Sequence, residues 1–317
     1  MIYISFILLV ISLIISLILG NSLIQFLRSI GIKQTIREDG PPEHITKKSK
    51  TPTIGGLIFL IPLFLLLIIM CFLNKELITR DLLVVTGITF IMAMLGFADD
   101  YLKILKKHNK GISGWAKLLT QLLVTLIIAS IYNKGIYWFY LVWVFFIIAG
   151  SSNSYNLTDG LDGLVGSISV ASLIGIIVLL FHMNKPELVY FSIILAGSIV
   201  GFLYFNKHPA KVFMGDTGSL AIGGAIGSLA IVTRSELYLI CFSAIPVLEA
   251  LSVILQVLSC QLSKRFLGKD IRIFKMAPLH HHFELVGWKE IDVVKRFFLF
   301  QIVCVLVGIM IVYLSEA

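Results

Sequence analysis

Three short acidic motifs interrupt an otherwise apolar chain: "GFADDYLK" with Asp99, Asp100 and Lys103, "NLTDGLDG" with Asp159 and Asp162, and "VFMGDTGSL" with Asp216. Singly, each has a plain explanation. Asp99 or Asp100 can pair with Lys103 along one face of a helix end, and Asp159 and Asp162 can cap a helix beginning near residue 164. Together they point elsewhere, because two carboxylates about 4 Å apart repel by about 4 kcal/mol at an effective dielectric of 20. Convergence of the motifs therefore requires a cation. They contain oxygen donors and neither His nor Cys, which suits Mg²⁺ or Mn²⁺ held by a few carboxylates together with substrate phosphate. Diphosphate chemistry is expected of such a centre.

Basic and polar motifs could complete it. "HITKKSKTPTIGG" carries His44, Lys47, Lys48 and Lys50, then Pro52, which breaks a helix, and Thr53, Gly55 and Gly56, which let backbone or ligand approach closely. Lys47 and Lys50 read as ordinary interfacial charges. "MAPLHHHFELVGW" supplies His280, His281 and His282. Consecutive histidines lack the i, i+4 spacing of a helical zinc site, whereas imidazole near neutral pH can donate to phosphate or shuttle protons. Glu249, in "PVLEALSVILQV", is an ionisable group inside an apparent membrane span and is expected to face a polar groove or another side chain, with Pro246 interrupting its helix. "GGAIG", with Gly223 and Gly227, reads as small-residue helix packing rather than a nucleotide loop, because no strand precedes it. The chain has no Walker lysine motif.

The elements that must position these groups are membrane helices. Of 317 residues, 58% are hydrophobic and 14% charged, and the mean hydropathy is +0.96, well above ordinary soluble domains. Apolar runs of the length that crosses a bilayer are expected at 2–27, 53–73, 81–98, 115–133, 136–151, 164–183, 189–205, 217–233, 236–259 and 297–314. They are apolar on every face, unlike the alternating strands of a membrane barrel. The expected fold is all-α, one transmembrane domain over 1–317 with ten crossings. The first run has no basic residue before it and no small-residue cleavage pattern, so it reads as a helix rather than a signal peptide. Alternating sides from there puts 21 of the 26 Lys and Arg residues on one face, if Lys117 is included. By the positive-inside rule that face is the cytoplasm and both termini lie outside. The +8 net charge is thus largely a topology signal, and no nucleic-acid partner is expected. Four cysteines without metal-type spacing, Cys71, Cys241, Cys260 and Cys304, read as packing residues.

Taken together, the motifs resemble the phospho-N-acetylmuramoyl-pentapeptide transferases, a branch of the polyprenyl-phosphate N-acetylhexosamine-1-phosphate transferases. The resemblance runs along essentially the whole chain, through "TPTIGG", "DDYLK", "NLTDGLDG", "FMGDTGSL", "LEALSVILQV" and "PLHHHFELVGW" in order. Ile54 stands where methionine is usual in the family. The acidic motifs mark the wider superfamily and the triple histidine its muramoyl-pentapeptide branch. The resemblance implies Mg²⁺-dependent transfer of phospho-N-acetylmuramoyl-pentapeptide from UDP-N-acetylmuramoyl-pentapeptide to undecaprenyl phosphate in the bacterial cytoplasmic membrane. It also implies an active site facing the cytoplasm, release of UMP, and often a homodimer.

Carried onto this sequence, the resemblance makes Asp216 the principal metal ligand, with Asp99, Asp100, Asp159 and Asp162 lining the same cleft and Asp99 the candidate base. Asn153 and Asn156 orient nucleotide or diphosphate, Phe213 stacks on uracil, and Lys48, Thr53 and Lys103 neutralise phosphate oxygens. His280, His281 and His282 organise the diphosphate end. Two rival readings are a sister transferase using a UDP-sugar without peptide, against which the triple histidine argues, and a secondary transporter. Transporters keep coupling charges near the membrane midplane, whereas these motifs sit at helix ends.

Overall fold

The computed structural model of the protein describes residues 1–32, 51–106, 111–132 and 138–315, and within them it is all-helical. The chain begins with α1 (Ile2–Ser29), α2 (Leu57–Leu73), α3 (Arg80–Lys106), α4 (Gly114–Ile131) and α5 (Trp138–Thr158). It continues with α6 (Leu164–His182), α7 (Pro186–Asn206), α8 (Gly215–Thr233), α9 (Ala244–Leu267), the short α10 (Leu279–Val286) and α11 (Glu290–Leu314). Eight of these are long and apolar enough to cross a membrane, and α2 is a shorter apolar helix. The chain is a multi-pass membrane protein, and each expected apolar run holds one long helix.

Helix ends depart from the run ends, because hydropathy measures the greasy part of a helix and hydrogen bonding continues past it. α3 runs on to Lys106, so Asp99, Asp100 and Lys103 stand on its last turns. α11 begins at Glu290, seven residues before the apolar run. The run expected at 236–259 is broken: a short helix at Leu239–Phe242 ends at Ser243, and α9 starts afresh at Ala244. Pro246 therefore lies in the first turn of α9, where its missing N–H leaves no bond unmade, and the break falls just before it. Neither Asp159 nor Asp162 caps α6, whose N-cap is Gly163 with φ +79°.

Small residues set the packing. α7 and α8 are the most deeply buried spans. On α8, an added Cβ at Gly223 would press on the Ser151–Ser152 backbone of α5, and one at Gly224 on Met92 of α3. Gly227 likewise sits against Ser151. These contacts match the small-residue packing expected of "GGAIG" and bring three helices together without a hydrophobic drive between them. α1 buries a stripe of Ser5, Ser12, Ser16 and Gly20 at helical spacing. It lies along α7, where the Ser16 hydroxyl donates to the Ser198 carbonyl over 2.8 Å. The consequence for the site is a common bundle end shared by the C-termini of α3 and α5 and the N-termini of α4 and α8.

Candidate active site

Asp216 lies in the first turn of α8, and the approach of α3 to that turn builds the centre. Gly96 sits directly on the Asp216 carbonyl, where any Cβ would collide. One turn on, Asp100 accepts from the Asp216 N–H at 3.1 Å, the Thr217 N–H at 2.9 Å and the Thr217 hydroxyl at 2.7 Å. It thereby caps α8 from another helix, meeting free N–H groups and the positive end of the helix dipole.

Asp99 is buried beside it. Its Oδ1 accepts from the Ile112 N–H at 2.7 Å, and the 111–113 segment lies over it. Ser113 then caps α4, its Oγ accepting from the Ala116 N–H at 3.3 Å, and this fixes Lys117 one turn in. Lys117 Nζ lies 2.7 Å from Asp216 Oδ2 and 3.1 Å from Asp99 Oδ1. Lys103 Nζ lies 2.6 Å from Asp99 Oδ2 and 3.2 Å from Asp216 Oδ2. From α5, the Asn156 amide donates to Asp216 Oδ1 at 3.0 Å and to Ser219 Oγ at 2.9 Å.

Asp99, Asp100 and Asp216 each offer a carboxylate oxygen within 4.8 Å of the others. Asp159, in the turn after α5, is pushed up to about 8 by burial first and then by the charges of Asp216 and Asp100, while a Gly215 N–H bond pulls the other way. A bound cation would favour the ionised form of all four; four carboxylates against two ammonium groups then leave two negative charges, matched by one divalent ion. The all-oxygen donor set fits a hard cation such as Mg²⁺ or Mn²⁺.

The "TPTIGG" segment is bound to the loop before α8. The Phe213 N–H donates to the Pro52 carbonyl at 2.9 Å, the Gly55 N–H to the Phe213 carbonyl at 2.8 Å, and the Gly56 N–H to the Met214 carbonyl at 2.9 Å. The close approach that Gly55 and Gly56 permit is thus backbone to backbone. It buries Thr53 beside Gly215 and Asp100 and leaves Phe213 half-buried at the rim. Lys48, with His44, Lys47 and Lys50, lies outside the described residues.

Other expected site residues stand apart from the carboxylate cluster. Asn153 donates to the carbonyl of Ala149 on its own helix at 2.8 Å. Asp162 belongs to a second group, with Oδ2 3.1 Å from His208 Nδ1 and 3.0 Å from the Ala210 N–H, while its own N–H donates to Glu290 at 2.7 Å. It braces the α7–α8 loop and the start of α11. The three histidines diverge because α10 is helical and consecutive side chains point 100° apart. His280 is buried, its Nδ1 3.0 Å from Glu249 Oε1, and Gly160 abuts its Nε2. His281 pairs with Glu284 at 2.8 Å, and His282 Nδ1 accepts from the Lys275 N–H at 3.1 Å.

The sequence profile of Glycosyl transferase family 4 matches residues 82–234, the stretch from α3 to α8. Curated proteins named phospho-N-acetylmuramoyl-pentapeptide-transferase match nearly the whole chain. That of Bacillus subtilis is 40% identical over 311 residues, 93% of this chain and 94% of its own. That of Caldanaerobacter subterraneus is 42% identical over 309 residues, covering 93% and 94%. The chain belongs to the phospho-N-acetylmuramoyl-pentapeptide-transferase family. It is an enzyme, a transferase, and in Halalkalibacterium halodurans a third relative is 41% identical over 305 residues, 91% of each chain. Lys117, which none of the sequence motifs contains, joins the candidate site through its contacts with Asp99 and Asp216.

Proposed function

We propose that the chain transfers phospho-N-acetylmuramoyl-pentapeptide from its UDP carrier to undecaprenyl phosphate, releasing UMP, at a Mg²⁺-dependent site facing the bacterial cytoplasm. The observation that carries this reading is the cluster of Asp99, Asp100, Asp159 and Asp216 with Lys103 and Lys117, doubly anionic when all four carboxylates are ionised, at the bundle end where basic residues concentrate. Asp99, Asp100 and Asp216 would hold the ion, which would polarise the diphosphate and neutralise charge on the departing UMP.

The chain's own residues do the rest by positioning and charge neutralisation, which is most of what phosphoryl transfer asks of a protein. The lipid phosphate carries about 1.5–2 negative charges at neutral pH and is itself the nucleophile. One of its oxygens attacks the phosphorus bearing the sugar, the bond from that phosphorus to the bridging oxygen breaks, and UMP leaves with that oxygen. Direct attack needs no covalent enzyme intermediate. Asp99 already accepts from Lys103, Lys117 and the Ile112 N–H, which suits it to ordering the two lysines against phosphate oxygens rather than to taking a proton. Asn156 orients Asp216. The exposed row Leu251, Leu255, Leu258 and Leu262 on α9, at helical spacing, offers a polyprenyl tail a path that keeps it in lipid.

A donor-specific UMP-release assay, with and without Mg²⁺, tests the reading. Release is expected only with the muramoyl-pentapeptide donor, lipid phosphate and Mg²⁺ together. Reaction with UDP-N-acetylglucosamine alone would replace the donor, and substrate-dependent ion flux without UMP would remove the proposal.

A further inference from the structure

Glu249 and His280 form a buried pair that the carboxylate centre does not use. Glu249 is 0% exposed on α9, and His280 is 1% exposed at the start of α10. A carboxylate inside a membrane helix is costly, by about 2.5–3.5 kcal/mol on insertion scales, so its contacts report what holds it there. Its Oε1 accepts twice from one residue, from the His280 backbone N–H at 3.2 Å and from His280 Nδ1 at 3.0 Å.

The first bond caps α10. The second orients the ring: with Oε1 accepting, Nδ1 carries the hydrogen and Nε2 faces the other way. Nε2 is buried without a hydrogen-bond partner among the described residues. It points at Gly160, where any Cβ would collide with it, one residue from Asp159. A buried ring nitrogen left unpaired at the rim of an anionic centre is placed to meet something that arrives.

We propose that Glu249 is a positioning residue for the transfer reaction, fixing the ring and tautomer of His280 so that Nε2 is presented at the Asp159–Gly160 turn to the substrate diphosphate. This rests on the function proposed above. A purely structural Glu249 would do no more than cap α10, and the two roles separate cleanly. The backbone N–H of residue 280 survives in His280→Ala, so the capping role persists in that background while the ring-orienting role vanishes.

The test is a double-mutant cycle on the full-length protein in detergent, reading kcat for UMP release. Removing a partner that fixes a histidine costs 10–100-fold in metal sites, so Glu249→Ala should lower kcat at least about 10-fold. In the His280→Ala background it should cost no more than about twofold, the scatter of additive pairs. Glu249→Gln, which keeps an acceptor at Oε1, should retain most of the wild-type kcat.

Equal losses in both backgrounds, or unaltered kcat in His280→Ala, would overturn the proposal. So would failure of both Glu249 variants to fold while His280→Ala folds, since that would mark Glu249 as structural. An inactive wild type would remove the parent reading as well, whereas an active wild type with additive variants would remove this inference alone.

Discussion

Replacing Lys117 by methionine separates two things its ammonium does in the cluster. Nζ lies 2.7 Å from Asp216 and 3.1 Å from Asp99, in the space between carboxylates where a divalent ion would draw its ligands. With all four carboxylates ionised, its loss takes the net charge of the cluster from two negative to three. An ion about 4 Å from the lost charge gains about 2 kcal/mol at the dielectric of water and about 8 kcal/mol at an effective value of 20. The Lys117 side chain is only 18% exposed, so the value for water is a floor, and it corresponds to about 30-fold in affinity. Turnover should move the other way, falling about 100-fold, the scale of one lost charge-stabilising donor at a developing anion. UMP release titrated with Mg²⁺ reads both effects. A Lys117→Met enzyme that needs more Mg²⁺, or that keeps kcat within tenfold of wild type, would refute the reasoning.

Asp216→Asn should abolish UMP release while leaving the melting profile in detergent within a few degrees of wild type, since Asp100 still caps α8. The raised value of Asp159, about 8, means that the metal-free folded protein holds this proton better than the unfolded chain does. The stabilisation is complete below the unfolded value of about 4 and lost as pH rises through about 8. In chelator the melting temperature should therefore fall between pH 5 and 8, with the slope flattened in Asp159→Asn; an unchanged slope in that variant would reject the assignment. Gly96→Ala should cost about 1–3 kcal/mol by overpacking and should lose activity, because the new methyl meets the Asp216 backbone. Thermal unfolding together with UMP release checks it.

The positions of the long helices were legible because about 20 consecutive apolar residues admit few other solutions. Where those helices stop was not. Asp99, Asp100 and Lys103 extend α3 past its greasy part, and the Ser243 break lies inside an uninterrupted apolar stretch. Charge clustering pointed to Asp99, Asp100 and Asp216 as partners, since like charges at one bundle end need an explanation. It could not separate Asp159 from Asp162, three residues apart, of which one faces Asp216 and the other His208. Lys117 was hidden by a sufficient explanation, the bias of basic residues to one face, although its place four residues past the capping Ser113 was a usable signal. The pairing of Glu249 with His280 spans thirty-one residues and depends on the rotation of α9, which a helix apolar on nearly every face does not encode.

Equilibrium binding of Mn²⁺ to the purified protein, followed by the loss of its free-ion paramagnetic signal, addresses the metal centre most directly. One ion per chain is predicted, bound by wild type and released by Asp216→Asn. Wild type that binds no ion, or Asp216→Asn that binds as wild type does, would contradict a centre built from Asp99, Asp100 and Asp216.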